Sequence, residues 1–426
     1  MLCHGKLRRR EGDSLIPMPS EVIRRIFNET GHDFSNDICL NAGIHDLDTN
    51  AIELFRTKWM EKSGNVRIKN LSVKQLLIDI EAIRDEGITY TALILFGTRS
   101  ALGRFLSQSE IVFEYRSSDA SGPAQQREEF RMGFFSWYDR VWELINLRND
   151  KQHYQDGLFV FDIFTFNERV VRETLLNAVS HRNYQLSGSV FMRQYRDRLV
   201  VESPGGLPEG VTLTNILDRQ SPRNRRIAEI FALCGLVERS GQGMNLIYEL
   251  SIKEAKSLPD FKGTDDHLVR ITLDGLVLDK KLLLLLNKIG NEQLESLSTD
   301  DFIVINSLFH EQKLPDSLRP HIKKLIDMGI IENTGRSKYV LARRLYAATG
   351  KTGVHTRIAG LDRETNKELI LKHIKQSGNK GTRLKELQQV LPGHARSQIQ
   401  VLLRELRKGN QVYVEGTTKN AKWFLV

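Results

Sequence analysis

Arg172-Glu173-Thr174-Leu175-Leu176-Asn177-Ala178-Val179-Ser180-His181-Arg182-Asn183-Tyr184 is the stretch from which the rest of the chain can be read. Glu173, Asn177 and His181 recur at i, i+4 and i+8, so a helix over residues 166–181 stacks all three along one face. Val170, Val171, Leu175, Leu176, Ala178 and Val179 supply the apolar surface that such a helix needs for packing. Alone, a Glu-x-x-x-Asn pair is most often a solvated polar stripe. The sequence that follows shifts the balance. Strand-like Arg198-Leu199-Val200-Val201-Glu202 runs into Ser203-Pro204-Gly205-Gly206, and Ser240-Gly241-Gln242-Gly243 precedes the apolar Met244-Asn245-Leu246-Ile247.

A carboxylate and an amide one turn apart, pointing the same way, can hold a water and a divalent cation beside a phosphate chain. One helix and two glycine loops, in that order and spacing, predict a nucleotide pocket. Residues 207–226 are polar and irregular, with Pro208, Gly210 and Pro222, and read as a lid. Other phosphate motifs are incomplete. Gly350-Lys351-Thr352 ends like a P-loop, but Leu345 stands where its first glycine belongs, and Gly241-x-Gly243-x-x-Leu246 lacks the third glycine of a dinucleotide fingerprint.

A chain of 426 residues has room for two to four domains, and 40% apolar with 27% charged residues is ordinary for a globular protein. The apolar run 282–286 is far shorter than the roughly 20 residues that span a bilayer, so no membrane association is expected. Residues 1–10 are basic without an apolar core, which argues against a secretory signal. Cys3, Cys39 and Cys234 are isolated and form neither a zinc pair nor a disulfide framework; a reduced, cytoplasmic setting is expected. The net charge of +9 is unevenly spread. Residues 280–426 hold 26 Lys+Arg against 14 Asp+Glu, a surplus of 12, whereas residues 1–279 hold 36 against 39. The C-terminal third is therefore expected to meet a polyanion, most simply nucleic acid.

The expected fold class is α+β. Residues 20–27, 49–60 and 72–83 read as helices, 90–97 and 111–116 as strands, 117–128 as a polar loop and 129–147 as a long helix. Residues 190–195 and 198–202 read as a hairpin, 227–233 as a short helix and 267–273 as a closing strand. The last part repeats one pattern. Helical segments at 282–289, 299–310 and 317–328 precede a hairpin at 330–341; helices at 367–376, 384–390 and 396–408 precede another at 412–425. Three helices and a hairpin, twice, is a winged-helix pattern, with 347–363 as linker. In each unit the third helix is the expected duplex reader and the hairpin the wing. Arg396, Gln398, Gln400, Arg404 and Arg407, with Lys419 and Lys422 on the wing, are the better set. Arg319, Lys323 and Lys324 are its counterpart in the first unit. Dimerisation or partner binding by one or both units is the alternative.

Glu173-x-x-x-Asn177-Ala178, His181-Arg182-x-Tyr184, Ser203-Pro204-Gly205-Gly206-Leu207-Pro208, Ser221-Pro222-Arg223-Asn224 and Ser240-Gly241-Gln242-Gly243 together resemble one lineage of bacterial ATP-binding proteins regarded as transcriptional regulators. These belong to the GHKL (Bergerat-fold) ATPase superfamily and usually carry an N-terminal Schlafen-like, Alba-type domain and C-terminal winged helices. The likeness is specific over residues 165–250 and looser over 8–275. It implies a Bergerat-type α/β sandwich at 158–275, preceded by an α+β region at 46–157 and the end of a Schlafen-like domain at 1–45. Winged helices follow at 276–346 and 364–426.

By the same resemblance Glu173 is the general base for water attacking the γ-phosphate, and Asn177 holds Mg²⁺. Gly205 and Gly206 admit the adenine, while Gly241, Gln242 and Gly243 meet the phosphates of ATP or ADP. His181 and Arg182 match the motif in roles that include capping, lid contact or catalysis. Where better-known members keep an adenine-reading Asp, this chain has Ser203, with Glu202 beside it. The expected function is an ATP-binding, double-stranded-DNA-associated regulator, in which nucleotide orders the lid and alters an interdomain arrangement or a homodimer. The alternatives are a Mg²⁺-dependent ATPase in a DNA-linked process such as defence, or a scaffold with a degenerate pocket.

Overall fold

The structure, a computed structural model, describes residues 2–3, 6–11, 14–19, 32–85, 87–119, 122–156, 159–219, 221–237, 243–335, 338–348, 363–391, 394–416 and 421–426. The chain divides into two compact units, Met1–Lys280 and Lys281–Val426, and the fold is α+β with a mixed sheet. Among the described residues no helix is long and apolar enough to cross a membrane.

In the first unit Leu2–Cys3, Lys6–Glu11 and Ser14–Pro17 form a small antiparallel sheet. The helix expected over 20–27 lies outside the described residues. Helix α1 (Thr49–Ser63) begins on Asp48, whose carboxylate accepts from Asn50 N–H, and ends on Gly64 at φ 65°. The helix expected over 72–83 is the shorter Val73–Asp79, and Ile83–Arg84 pairs instead with Gly87–Ile88.

The apolar run at 90–97 is a helix, α2 (Tyr90–Phe96), not the expected strand. Thr91, Ala92, Leu93, Ile94, Leu95 and Phe96 are all buried, so the sequence shows no period of either kind. The deciding signals are local. Thr89 caps the helix by accepting from Ala92 N–H, and Gly97 closes it.

Strand β1 (Ile111–Tyr115) forms where expected, but β2 (Gln126–Phe130) occupies the end of the expected loop and the start of the expected long helix. Helix α3 (Phe134–Asn146) begins only after Gly133. A Cβ at Gly133 would lie 2.6 Å from Leu95 O, so α2 and the entry to α3 meet through bare backbone. A hairpin of β3 (Lys151–Asp156) and β4 (Phe159–Phe164), not anticipated from sequence, leads into α4 (Glu168–Ser180).

Then follow β5 (Val190–Gln194), β6 (Arg198–Pro204), α5 (Arg225–Leu233), α6 (Gly243–Lys253) and β7 (Leu268–Asp274). The five-stranded sheet has the order β7-β6-β5-β1-β2, antiparallel throughout except for β5 against β1. Residues 111–130 thus supply two of its strands, and the boundary expected at residue 158 falls inside one sheet. One face places Ile111, Phe113, Val190, Met192, Val201 and Ile271 in the main core with Leu175 and Val179 of α4. The opposite face is charged. Glu114 accepts from Arg116, Arg127 and Arg193, whose charges and hydrogen bonds outweigh burial and hold its carboxyl below the usual range.

The second unit contains α7 (Lys280–Ile289), which starts at the last residue of the first, α8 (Thr299–Phe309) and α9 (Arg319–Asp327), then a hairpin of β8 (Ile331–Gly335) and β9 (Lys338–Leu341). Helices α10 (Arg363–Ser377), α11 (Leu384–Val390) and α12 (Arg396–Lys408) lie further along. The short strand β10 (Thr382–Arg383) precedes α11, and a hairpin of β11 (Val412–Glu415) and β12 (Lys422–Leu425) closes the chain. Strand β10 pairs with β12, so this last sheet has three strands rather than two. Ile370, Ile374, Leu387, Ile399, Leu402, Leu403 and Leu406 form its small core.

Candidate functional site

Helix α4 begins on Asn167, whose Oδ1 accepts from Arg169 N–H. Its apolar side faces the sheet, and Glu173, Asn177 and His181 line a cavity of about 860 Å³ whose walls also include Val201, Ser203 and Ile271 of the sheet. That volume suits an organic ligand of nucleotide size. Glu173 is only 8% exposed. Asn177 Nδ2 donates to Glu173 Oε1 at 3.3 Å. Because a carboxylate only accepts, this contact sets the amide, and Asn177 Oδ1 is the atom left for a cation or a donor.

Gly243, the first residue of α6, sits directly against this pair. A Cβ there would fall 1.9 Å from Glu173 Oε1 and 3.3 Å from Asn177 Nδ2. A helix start is thus brought against an acceptor and an amide, and its early N–H groups face a place where anions are stabilised. Gly241 and Gln242 lie outside the described residues.

The other glycine pair closes the far side. Gly205 has φ 105° and donates its N–H to His267 O at 2.7 Å; a Cβ there would meet Arg223 Nη1 at 2.2 Å. At Gly206 a Cβ would lie 2.7 Å from Asp266 O. Ser203 lines the cavity, and its hydroxyl donates to Ala178 O at 3.0 Å, which leaves its oxygen as acceptor only. Glu202 points to the opposite face of the sheet, where it pairs with Arg193, so it has no part in the cavity.

Ser221-Pro222-Arg223-Asn224 does work that the sequence did not reveal. Asn224, 1% exposed, donates from Nδ2 to Ser180 O at 3.0 Å and Arg182 O at 2.7 Å, satisfying carbonyls at the end of α4. Arg223 Nη2 donates to Gly206 O at 3.1 Å. Arg182 is 1% exposed and gives its guanidinium to the carbonyls of Asn183, Gln108 and Gly188. Of the roles open to it, Arg182 is structural. It ties the end of α4 to the loops around it.

His181 does reach the cavity. Burial first, and the Arg223 charge second, push its imidazole down to about 4, so it is neutral at pH 7. The unfolded chain takes up a proton near 6.5 that the folded chain refuses until about 4. Stability from this group is therefore complete above pH 6.5 and is lost as pH falls through the folded value, about 3 kcal/mol by pH 4. Urea unfolding of wild type and His181→Asn at pH 7 and pH 5 measures it. The variant is expected to lose less stability on acidification, and parallel losses would remove His181 as the source.

Comparison with known proteins bears on this part of the chain. Residues 188–273 match a family model described as "Putative ATP-dependent DNA helicase recG C-terminal". That segment is ATPase-like. It contains β5, β6, the residues 207–226, α5, α6 and β7, whereas α4 precedes it; Glu173 and Asn177 join the ATPase-like segment through packing. Residues 24–112 match a family described as a domain of unknown function. No curated protein matches the chain. Among solved structures, it is similar to the crystal structure of the DIP2311 protein from Corynebacterium diphtheriae, with 19% identity and a TM-score of 0.59 over 99% of this chain and 75% of that one. At that identity the likeness concerns the fold alone.

The expected nucleic-acid residues divide once placed. On α12, Arg396, Gln400, Arg404 and Arg407 are exposed and share one face, which flanks the buried face of Ile399, Leu402, Leu403 and Leu406. The one carboxylate of this helix, Glu405, is held down to about 2 chiefly by its hydrogen bond from Arg363, with Lys367 adding to it. Gln398 departs from expectation, because its Oε1 accepts from Ala395 N–H at 2.8 Å and caps its own helix. Lys422 Nζ donates to Lys380 O at 2.8 Å, and Lys419 lies outside the described residues.

The first set is largely used up internally. Arg319 pairs with Asp316 at 2.8 Å, and Lys324 with buried Asp301 at 2.6 Å, leaving exposed Lys323. The Arg319–Asp316 pair is local, three residues apart, whereas the Lys324–Asp301 pair depends on how α8 packs on α9 and could not be read from spacing.

Proposed function

We propose that this chain is an ATP-binding regulator of the GHKL type whose nucleotide state controls binding of double-stranded DNA. The observation that carries the reading is the meeting of Glu173, Asn177 and Gly243 at one cavity whose other side is closed by Ser203 and Gly205. In this reading residues 158–275, with the strands at 111–130, form a Bergerat-type sandwich. Phosphates lie at the start of α6, and the base lies by Ser203 among the apolar walls of the cavity.

Asn177 Oδ1 would hold Mg²⁺, which would supply positive charge to offset that of the phosphate oxygens. A site of this kind needs one protein ligand or two beside the phosphates. Phosphate oxygens and waters would supply the remaining ligands. Glu173, buried and beside the phosphate position, is suited to accept a proton from water as its oxygen bonds to the γ-phosphorus and ADP departs. That supports slow hydrolysis as the second reading.

The units at 276–346 and 364–426 are winged helices joined by 347–363, and α12 is the helix that enters the major groove. The description of the family matched at 188–273, a DNA helicase, agrees with a nucleic-acid partner. The test is binding of a mixed-sequence duplex by the full chain with no nucleotide, with Mg²⁺-ADP and with a non-hydrolysable Mg²⁺-ATP analogue. Affinity is expected to change at least about fivefold between states, the lower range of allosteric coupling. Equal affinity in all three would contradict regulation by nucleotide.

A further inference from the structure

The last sheet has an inner and an outer face with different contents. Val412 and Trp423 turn inward onto the small core. The register pairs Tyr413 with Phe424, Glu415 with Lys422, and Arg383 of β10 with Lys422, so these five residues share the outer face. The two rings stack with centroids 5.4 Å apart and planes at 21°. Behind Phe424 lies Gly381 at φ 64°, where a Cβ would fall 2.4 Å from the ring's Cζ. Backbone therefore closes one side of the stack, and Tyr413, 42% exposed, stands at its open end.

Cations edge the rings. Arg383 is exposed and has no ion pair among the described residues. Lys422 is fixed by its bond to Lys380 O, and exposed Lys380 and Lys385 stand nearby in the chain. Among the described residues of the three strands, Glu415 is the only carboxylate on this face. Two rings of modest area, bordered by positive charge, suit a ligand that is flat and apolar in its bases and anionic in its backbone. A protein partner would need a wider apolar surface to dock on.

We propose that the outer face of the β10–β12–β11 sheet is a stacking platform for unpaired bases of single-stranded nucleic acid, with Tyr413 as the base-contacting ring and Arg383 and Lys422 on the phosphates. A nucleobase continues the Phe424–Tyr413 stack, as every base has a π-face to offer. This site is separate from the stripe on α12, which needs a groove and reads a duplex, and it does not depend on the nucleotide cavity.

The experiment uses the full chain and two labelled probes, a 15-nucleotide oligo(dT) and a mixed-sequence 15-base-pair duplex. Tyr413→Leu keeps an apolar cross-strand partner for Phe424 but removes the π-face, and Tyr413→Phe keeps both. Loss of one stacked base is expected to weaken oligo(dT) binding about tenfold in Tyr413→Leu. Tyr413→Phe should stay within about twofold, and duplex affinity should not move in either. Unchanged oligo(dT) affinity in Tyr413→Leu, no oligo(dT) binding by wild type, or an equal loss on the duplex would each overturn the platform. Photocrosslinking of wild type to oligo(dT) carrying one 5-iodouracil needs no variant: the crosslink is expected on Tyr413, and one confined to other residues would also overturn it.

Discussion

Gly243→Val is expected to abolish nucleotide binding while leaving the fold in place. The first side-chain carbon alone would lie 1.9 Å from Glu173 Oε1, so the carboxylate must leave its position beside Asn177, and the remaining methyl groups enter the space proposed for phosphate. Overpacking costs about 1–3 kcal/mol even where neighbours yield. Here the carboxylate yields into the site itself, so binding rather than folding bears the cost. Affinity for Mg²⁺-ATP should drop at least about 100-fold, roughly 3 kcal/mol. Gly103→Ala is the control, because a Cβ there meets nothing within 4 Å. Calorimetric titration and a melting curve of both variants check this. Wild-type affinity in Gly243→Val would place the ligand elsewhere.

The second large effect concerns α12. Arg396→Glu, Arg404→Glu and Arg407→Glu together should weaken duplex binding by at least about 100-fold near 0.1 M salt and lower the log–log salt slope by about 2–3, since each phosphate contact contributes about 0.9. Glu405 does not already offset these charges, being engaged by Arg363 and Lys367. Arg319→Ala, whose guanidinium faces Asp316, should change affinity less than about threefold. Fluorescence anisotropy at several salt concentrations separates the two. An effect of Arg319→Ala equal to that of the triple change would move the interface to α9.

Residue types and spacing made part of this readable in advance. The i, i+4, i+8 stripe put Glu173, Asn177 and His181 on one wall of the cavity because a helix has only one way to stack such positions. Amphipathic spacing likewise showed α8, α9, α10 and α12. It failed at α2, where burial on every side erased the period, and only the Thr89 cap and Gly97 carried information. It failed again at β2, whose membership of the sheet depends on pairing with β1, fixed by no local signal in 126–130.

In the site, two glycines announced close approaches that the structure shows at Gly205 and Gly243. What each approach meets was not legible, because Arg223 and Glu173 arrive from other elements. The same holds for Arg182 and Asn224, which look like surface residues in sequence and hold the end of α4 from within. Electrostatic spacing misleads for a related reason. Lys324 resembles a phosphate contact until Asp301 is brought to it by packing.

Mg²⁺-nucleotide binding by Glu173, Asn177 and Gly243 is best tested by titrating ATP into the full chain by calorimetry, with Mg²⁺ and with EDTA, beside Glu173→Gln and Asn177→Ala. Wild type is expected to bind one ATP in a Mg²⁺-dependent way. Glu173→Gln should bind within about threefold of wild type, and Asn177→Ala should lose at least about tenfold together with the Mg²⁺ dependence. No heat from ATP or ADP in wild type, or binding that neither EDTA nor Asn177→Ala alters, would contradict it.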